Sequence, residues 1–351
     1  MQLCFLVGDV RALKARFGSV YLAWAAHRRG HDVHFASADD LSYLDDNSIL
    51  GLTTRVRAGD YPKPAEYLQA LHSPDAVRAE ETLSRFDIVF LKYNPLLESA
   101  NHAGSPVIDL CWRLRLGGTL VINDPEGVRR AGSGMYLADL PPEVRVPTLV
   151  SRSAPRVREF LKALDGPAVL RALSPREGEK VFYVRRRQKA NLNQMLTALI
   201  REGYVVAQEY LPEAEQGEKR VILLGGEPLR CGDVIGIYRR VPLLRGGPAE
   251  KAVETIGNRG RRKRCSFGAQ EARLCELLRP KLLSDGLYFA SVDIAGDKIL
   301  GLNVFTPSGL HSLSELYGLD VAAVVIEDLE RRVRVRLAYQ TTFDPEAADI
   351  V

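Results

Sequence analysis

The sequence has few cysteines, and none of them form a closely spaced pair. Its five cysteines (Cys4, Cys111, Cys231, Cys265 and Cys275) are odd in number among 351 residues and contain no Cys-x-x-Cys motif. Disulfide scaffolds and zinc ribbons both need paired cysteines, so this pattern argues against either. None of the six histidines lies at metal-ligand spacing from a cysteine. We therefore expect reduced thiols and a cytoplasmic protein.

The sequence also lacks a long hydrophobic run. No apolar stretch approaches the roughly 18–20 residues that a membrane-spanning helix requires. The apolar N-terminal stretch has no basic residue before it and is interrupted by Gly8 and Asp9. It therefore predicts a buried first strand and not a signal peptide, and we expect no membrane partner.

A strong excess of one charge is absent as well. Lys and Arg number 48 against 44 Asp and Glu, which leaves a net charge of +4 and gives no reason to expect a nucleic-acid partner. Hydrophobic residues make up 46% and charged residues 26%, as in an average globular protein. At about 150 residues per domain, the length predicts two domains, with three as the alternative. A chain of this length can bury a core without disulfides or structural metal ions.

The first third of the chain alternates strand-like and helix-like segments. Short apolar runs at 3–7, 31–36, 87–91 and 119–122 predict strands, and helical spacing at 17–29 and 99–116 predicts helices. This alternation is typical of parallel βαβ units, so we expect a Rossmann-like α/β domain over residues 1–122. Residues 44–80, with Pro62, Pro64 and Pro74, should be less regular.

After residue 123 the pattern changes to antiparallel hairpins. We expect a hairpin at 169–172 and 180–184, a strand at 229–237, a second hairpin at 288–294 and 298–304, and a final helix at 320–332. A region dominated by hairpins with separate helices is of the α+β class. The polar residues 336–351 should form a C-terminal tail.

Two polar segments could carry chemistry. Gln208 and Glu209 end a strand and could present polar groups to an adenine edge, while Arg220 on the next strand could contact phosphates. Asp293 and Asn303, on the two strands of one hairpin, could point the same way as Mg²⁺ ligands. On the residues alone, a surface ion pair and a solvated hairpin are the more frequent explanations.

These segments resemble bacterial glutathione synthetases, which are ATP-grasp ligases. The resemblance extends over about residues 1–335 and rests on Ala207–Pro212, Gly217–Val221, the hairpin around Asp293 and the stretch from Asn303 to Gly309. It implies an N-terminal Rossmann-like (pre-ATP-grasp) domain followed by an ATP-grasp domain over 123–335, with a lid subdomain at about 150–205. It also implies an enzyme that uses ATP and Mg²⁺ to phosphorylate a carboxylate and joins the acyl phosphate to an amine.

The resemblance assigns roles to individual residues. It implies ATP contacts at Arg171, Lys180, Gln208, Glu209, Tyr210, Leu211 and Arg220, the last as the catalytic arginine. It implies Mg²⁺ ligands at Asp293 and Asn303. It implies substrate contacts at Asn94, Pro307, Ser308 and Gly309, with an amino acid or short peptide as the small-molecule substrate. A homo-oligomer would be compatible with it.

The sequence departs from the family pattern at several of these places. Gly301 stands where the third magnesium ligand, a Glu, is expected. Arg171 and Asp124 stand where lysines are expected, and a second lysine after Asn123 is replaced by Gly134. A proline-containing, charged loop over 174–180 replaces the glycine-rich loop over the phosphates. Two hypotheses follow: an active ligase with an altered substrate, or a catalytically degenerate ATP-grasp scaffold that serves as a binding or regulatory protein.

A basic run is the last unassigned feature. It contains Arg259, Arg261, Arg262, Lys263 and Arg264. A solvated loop is the default explanation for such a run, phosphate contact is the second, and nucleic acid is a distant third.

Overall fold

The structure is a computed structural model that describes residues 1–94, 106–132, 135–173, 181–185, 191–241 and 260–340. Its described helices are α1 (Gly18–Arg28), α2 (Pro64–His72), α3 (Pro106–Leu116), α4 (Pro125–Ala131), α5 (Ala154–Ala163), α6 (Leu192–Glu202), α7 (Ala269–Ser284), α8 (Leu310–Tyr317) and α9 (Val321–Gln340). None of them is long and apolar enough to cross a membrane.

The strands form two six-stranded sheets, one four-stranded sheet and one short hairpin. In chain order they are β1 (Gln2–Val7), β2 (Asp32–Tyr43), β3 (Ile49–Arg55), β4 (Val77–Thr82), β5 (Ile88–Lys92), β6 (Leu120–Ile122), β7 (Thr148–Ser151), β8 (Ala168–Ala172), β9 (Phe182–Val184), β10 (Val205–Glu209), β11 (Glu218–Leu224), β12 (Glu227–Pro228), β13 (Arg230–Cys231), β14 (Val234–Ile235), β15 (Ile237–Val241), β16 (Arg261–Lys263), β17 (Phe289–Ala295) and β18 (Lys298–Asn303).

The first sheet has the order β4-β3-β2-β1-β5-β6. The pairs β2–β1, β1–β5 and β5–β6 are parallel, whereas β3 and β4 add to the β2 edge in antiparallel fashion. Its core contains the stacked rings of Phe5, Phe35 and Phe90, with centroids 5.5 and 5.6 Å from Phe5. The mainly parallel sheet that strand–helix alternation predicts is therefore present.

The expectation of irregular structure over residues 44–80 is wrong. This stretch contains β3, α2 and β4. Pro64 occupies the first turn of α2, where a proline costs no hydrogen bond, and Pro74 follows the last residues of that helix. The prolines therefore mark the ends of a regular element and do not disrupt one.

The second sheet is small and wholly antiparallel, with the order β7-β10-β8-β9. Its apolar face packs on α5 and α6 through a core that includes Val157, Leu170, Leu196 and Leu199. The expected hairpin of β8 and β9 is confirmed, although the loop that joins its strands falls partly outside the described residues.

The third sheet has the order β16-β15-β11-β17-β18, with β12 paired to β11. One face, which includes Val221 and Val292, packs on α7. The other face carries Ile222 and Phe289 in a core shared with α1, α8 and α9. Because strand residues alternate between faces, the polar Arg220 and Asp293 continue this second face beyond its apolar part.

One buried side chain joins the first sheet to the third. Asn123 follows β6 directly, and its Nδ2 donates to the carbonyl oxygens of Phe289 (2.8 Å) and Val304 (2.7 Å). Its Oδ1 accepts the backbone N–H of Phe289 at 2.6 Å. The carboxyl ends of the first sheet are thereby held against β17.

Two further expectations about the chain differ from the structure. The strand expected over 229–237 is interrupted, because Gly232 (φ +59°) turns the chain back between β13 and β14. The last helix does not end at 332 but continues as α9 to Gln340, across the expected start of the tail. The expected domain boundaries themselves stay predictions.

Candidate functional site

A cavity of about 310 Å³ lies between the second and third sheets. It contains most of the side chains assigned to ATP by resemblance. The assigned residues that line it are Arg171, Gln208, Glu209, Tyr210, Leu211 and Arg220, together with Asp293. Lys180 lies outside the described residues. We call this cavity the cleft.

The strand β10 and the residues after it form one wall of the cleft. Gln208 is fixed by a hydrogen bond of 2.9 Å from its Nε2 to Thr148 Oγ1 on β7. The Tyr210 ring packs edge-on against Tyr183 of β9, with centroids 5.0 Å apart. This wall therefore combines an aromatic surface with polar strand-end groups.

Four charged side chains form the opposite wall, three of them buried and the fourth, Asp293, partly exposed. Arg220 donates from Nε and Nη2 to the two carboxylate oxygens of Asp293, at 2.7 and 2.6 Å. Arg240 Nη2 donates to Glu218 Oε2 and lies 3.4 Å from Asp293 Oδ2. The two arginines and two carboxylates balance within the protein, and we call this group the charge cluster.

The pairing shifts the ionisation of these groups in a connected way. Burial by itself would raise the pKa of Asp293, but the charge and hydrogen bonds of Arg220 outweigh it and hold that pKa below its usual range. Burial raises the pKa of Glu218 to about 7, and the charge of Asp293 adds to the rise, although Arg240 opposes it. Asp293 is therefore the anion that keeps Arg220 in place.

The sequence analysis missed Glu218 and Arg240. The β11–β15 register places Glu218 opposite Arg240, and the β11–β17 register places Arg220 opposite Asp293. Cross-strand partners share a face, so these residues converge. The available signal was the period of two along a strand, which puts Glu218 and Arg220, two residues apart in β11, on the same face.

The expected metal ligands lie on one face of the β17–β18 hairpin. Asp293 pairs with Gly301, and Asn303 pairs with Ser291, two residues earlier on β17. Asn303 holds the backbone of Thr306 through both amide atoms, at 3.1 and 3.3 Å. Within the described ranges, no group of three or more His, Cys, Asp or Glu side chains is arranged to hold a metal ion.

Gly301 leaves room beside Asp293. A Cβ built on Gly301 would meet only Asp293 Oδ2 within 4 Å, at 3.8 Å. A carboxylate at this position would therefore project towards Asp293, and the backbone angle at Gly301 does not require glycine.

A second cavity, of about 740 Å³, lies where the first sheet meets the end of β18. It is lined by three residues assigned to the substrate, Asn94, Pro307 and Ser308, and also by Asn303. We call it the second pocket. Arg220 connects it to the cleft, because its Nη1 donates to Ser308 Oγ at 2.8 Å.

Gly309 has a different position from the other substrate assignments. It is not among the residues that line the second pocket. It directly precedes α8 and has a φ of +129°. A Cβ there would come within 2.7 Å of the Tyr238 ring, so the glycine permits a close approach of the backbone to that ring.

Asp124, which stands where a lysine is expected, has a structural role here. Its Oδ1 accepts the backbone N–H of Gly127 at 3.0 Å and so caps α4. Its Oδ2 pairs with Arg115 at 2.9 Å. It does not line the cleft, so its charge is not directed at a bound nucleotide. Gly134 and the loop 174–180 lie outside the described residues.

The basic run forms a strand where it is described. Arg261–Lys263 make up β16, which pairs with β15, so the expected loop is a strand here, although its side chains are exposed to solvent as expected. The register places Arg262 opposite Arg240, and Arg262 lines the second pocket. Arg264 packs on the Tyr317 ring, while Arg259 is outside the described residues.

Comparisons with known proteins identify the family. Residues 1–129 match the N-terminal domain of prokaryotic glutathione synthetase, and residues 134–318 match its ATP-grasp domain. The chain belongs to the prokaryotic glutathione synthetase family. It is 31% identical over 343 residues to the glutathione synthetase of Synechococcus elongatus, covering 95% of this chain and 99% of that protein. With the enzyme of Synechocystis the identity is 29%, over 95% of this chain and all of the other.

Solved structures give the same architecture. D-cycloserine synthetase is similar with a TM-score of 0.61 at 19% identity, covering 93% of this chain and 100% of that one. An ATP-grasp RimK domain protein of Sphaerobacter thermophilus is similar with a TM-score of 0.54 at 18% identity, covering 93% and 98%. The expected ATP-grasp fold, preceded by an N-terminal α/β domain, is confirmed.

Proposed function

We propose that this member of the prokaryotic glutathione synthetase family is an ATP-dependent carboxylate–amine ligase. A carboxylate oxygen of the acid substrate attacks the γ-phosphorus of ATP, and ADP leaves. The amine nitrogen then attacks the acyl carbon, phosphate leaves with the electron pair of the C–O bond, and the nitrogen loses a proton. The substrates are an amino acid or short peptide and an amine, and the five free cysteines are compatible with a reducing cytoplasm.

The bridging position of Arg220 carries this proposal. It lines the cleft, and it also donates to Ser308 of the second pocket. A guanidinium has five N–H donors, and Asp293 and Ser308 engage three of them. The remaining donors are available to a phosphoryl group that passes from nucleotide in the cleft to a carboxylate in the pocket. Arg220 is held rigidly by Asp293, so this contact needs little reorganisation.

The cleft also fits the nucleotide. The wall formed by residues 208–211 offers strand-end polar groups and the Tyr210 ring to a base, while Arg171 and the charge cluster face the side where phosphates would lie. Asp124, which replaces a lysine of the family pattern, caps α4 and does not enter the cleft. Its negative charge therefore does not repel phosphates bound there.

The residues fit one magnesium ion, held largely by the nucleotide. Asp293 and Asn303 share a hairpin face, and Mg²⁺ commonly needs only one or two protein ligands besides phosphates and water. When bound, the ion neutralises charge on the phosphates. Arg220 and Arg240 lie on the same side, each paired with a carboxylate of the protein, and place two guanidinium groups on the phosphate side. We infer that these arginines take a larger share of phosphate binding here than they would beside a three-ligand site.

The test is ADP release coupled to amide formation. γ-Glutamylcysteine and glycine, whose condensation gives glutathione, are the first substrate pair to try. Arg220→Met should abolish turnover while Arg261→Met, an exposed arginine in the same sheet, should leave it unchanged. ATP with Mg²⁺ at a hundred times its Kd should stabilise the wild type by about 2.7 kcal/mol. A protein that shows no such stabilisation does not bind ATP, and the ligase proposal is then wrong.

A further inference from the structure

Three positively charged side chains form a row across the third sheet, on the face that packs on α7. The β11–β15 register places Lys219 opposite Arg239, and the β15–β16 register places Arg239 opposite Lys263. Residues that pair directly across strands share a face, with Cβ atoms about 5 Å apart. The ion pair between Lys219 and Glu271 of α7 fixes which face this is. We call Lys219, Arg239 and Lys263 the cation row.

The protein supplies one carboxylate to this row, and that carboxylate is fully engaged. Glu271 Oε1 accepts from Lys219 Nζ at 2.7 Å, and its Oε2 accepts the backbone N–H of Gly268 at 2.8 Å. Arg239 and Lys263 make no ion pair with any residue that the structure describes. Like charges directly opposite each other in a sheet destabilise it, so two of the three cations of the row lack compensation.

Arg239 is the member of the row that the fold explains least. Its Nε is buried and has no hydrogen-bond partner in the described part of the chain. Charged side chains on an edge strand discourage pairing with other chains, which accounts for Lys263 on β16. The same reason does not apply to Arg239, because β15 lies between β11 and β16. A buried donor without an acceptor costs free energy that a bound anion would recover.

The first turn of α7 adds to the positive potential beside the row. Glu271 is the third residue of this 16-residue helix, so its contact with Lys219 brings the helix start next to the row. Gly268, which precedes the helix, has no side chain that could cap it. Unsatisfied N–H groups and the positive end of the helix dipole therefore reinforce the attraction of an anion to the three side chains.

The cation row is separate from both cavities. None of its three residues lines the cleft or the second pocket. Lys219 and Arg239 each precede an arginine of the charge cluster, Arg220 and Arg240, and successive side chains of a strand point to opposite faces. A ligand on the row would therefore lie on the other side of the sheet from a nucleotide in the cleft.

We propose that the cation row binds a polyphosphate anion, a chain of two or more linked phosphate groups. The row crosses three strands, about 10 Å, so linked phosphates contact more than one cation, whereas a halide ion contacts only one. The guanidinium of Arg239 favours phosphate, because its fork of N–H groups can donate two parallel hydrogen bonds to phosphate oxygens. This site is additional to the proposed ligase site and does not depend on it.

Calorimetry with tripolyphosphate, in EDTA and at constant ionic strength, tests the site. Lys263→Met should weaken binding several-fold, and the double variant Arg239→Met/Lys263→Met should weaken it at least tenfold. Lys263→Arg keeps the charge and should bind within twofold of the wild type. Arg230→Met, which removes an exposed arginine of β13, is the matched control and should also stay within twofold. Orthophosphate should bind the wild type at least tenfold more weakly than tripolyphosphate.

Pyrophosphate and ADP distinguish the two sources of this chemistry, because both carry two linked phosphates. ADP also enters the cleft under the ligase proposal, so only the binding that the double variant loses is assigned to the row. A loss for pyrophosphate alone identifies free polyphosphate as the ligand, and a loss for ADP alone identifies a nucleotide. A loss for both shows that the row accepts either.

Three results would overturn the site. They are a wild type that does not bind tripolyphosphate, a double variant that binds it as tightly as wild type, and an equal loss in Arg230→Met. Orthophosphate that binds as tightly as tripolyphosphate would contradict the assignment to linked phosphates. Without added anion, Lys263→Met should melt at or above the wild type, because it removes a like charge. This exposed position keeps the test decisive even if Arg239→Met does not fold.

Discussion

The cleft and the second pocket differ in whether their positively charged side chains have partners within the protein. In the cleft, Arg220 and Arg240 are each paired with a carboxylate of the protein. In the second pocket, Lys92 is buried with no such partner in the described chain. A site with internally balanced charges is rigid before its ligand arrives, whereas a site with an unbalanced charge gains a partner from the ligand. The charged groups of the cleft are therefore held in place before a ligand binds, whereas the amine of Lys92 has no counter-charge until one does.

The largest effect should come from unbalancing the charge cluster. Asp293→Asn leaves Arg220 without its bidentate partner, and breaking such a buried pair costs about 3–5 kcal/mol of unfolding free energy. Urea denaturation measures the loss. Asp297→Asn, in the exposed turn of the same hairpin, is the matched control and should change stability by less than about 0.5 kcal/mol. Equal effects of the two variants would mean that the cluster does not stabilise the fold.

The second pocket should respond with the opposite sign. Lys92→Met removes an unpaired buried amine and should stabilise the protein, by up to about 5 kcal/mol below pH 7. The pKa of Lys92 is about 7 in the folded chain and 10.5 without the fold. Between these values the unfolded chain binds more protons, so the wild type itself becomes more stable as pH rises. The advantage of the variant should therefore shrink between pH 7 and 10.5.

Melting temperatures of wild type, Lys92→Met and Lys63→Met across pH 6.5–9 check this dependence. Lys63 is exposed, so Lys63→Met should change the melting temperature by the same small amount at every pH. If Lys92→Met melts below wild type at pH 6.5, the amine has a stabilising partner in the folded chain and the contrast with the cleft disappears.

Several strands followed from local patterns, whereas the roles of the site residues came from the family resemblance. Apolar runs, helix spacing and glycine turns are local features, so the parallel strands β1, β2, β5 and β6 and the hairpin at Asp293 could be predicted from neighbouring residues. The prolines of residues 44–80 misled because a proline at a helix start and one in an irregular loop look alike in sequence. The alternation of side-chain direction along β11 could have shown that Glu218 and Arg220 share a face.

The charge balance of the two cavities could not be predicted in this way. Arg240 meets Glu218 only through the β11–β15 register, and registers depend on the whole sheet. Lys92 ends an apolar strand, where a lysine is ordinarily solvated. Its burial depends on Phe289, which belongs to the third sheet and lies almost 200 residues later in the sequence. Contacts between distant segments decide which charges are paired, and these leave no local signature.

Restoring the carboxylate that is missing at position 301 should make ATP binding in the cleft more dependent on Mg²⁺. Gly301→Glu places a second negative charge beside Asp293, where the structure leaves room. With Mg²⁺ the variant should bind ATP about tenfold more tightly, equivalent to about 1.4 kcal/mol. With EDTA it should bind ATP more weakly than wild type, because the added charge repels the phosphates.

The control for this prediction is Gly301→Gln, which has the same shape without the charge. It should show neither the gain with Mg²⁺ nor the loss with EDTA, as measured by calorimetry. If Gly301→Glu and Gly301→Gln behave alike in both conditions, position 301 does not face the bound metal, and Asp293 and Asn303 lose their assignment as ligands.

The smallest effect should come from the link between the two cavities. Ser308→Ala removes the oxygen that accepts from Arg220 Nη1 at 2.8 Å. Arg220 keeps both bonds to Asp293, so unfolding free energy should fall by only about 1 kcal/mol. Since Ser308 lines the second pocket but not the cleft, the KM for the acid substrate should rise several-fold at an unchanged Kd for ATP. Ser284→Ala, in the last turn of α7, is the control. A matched rise in the Kd for ATP would show that Ser308 holds the whole Arg220 cluster in place and that the two cavities are one electrostatic unit.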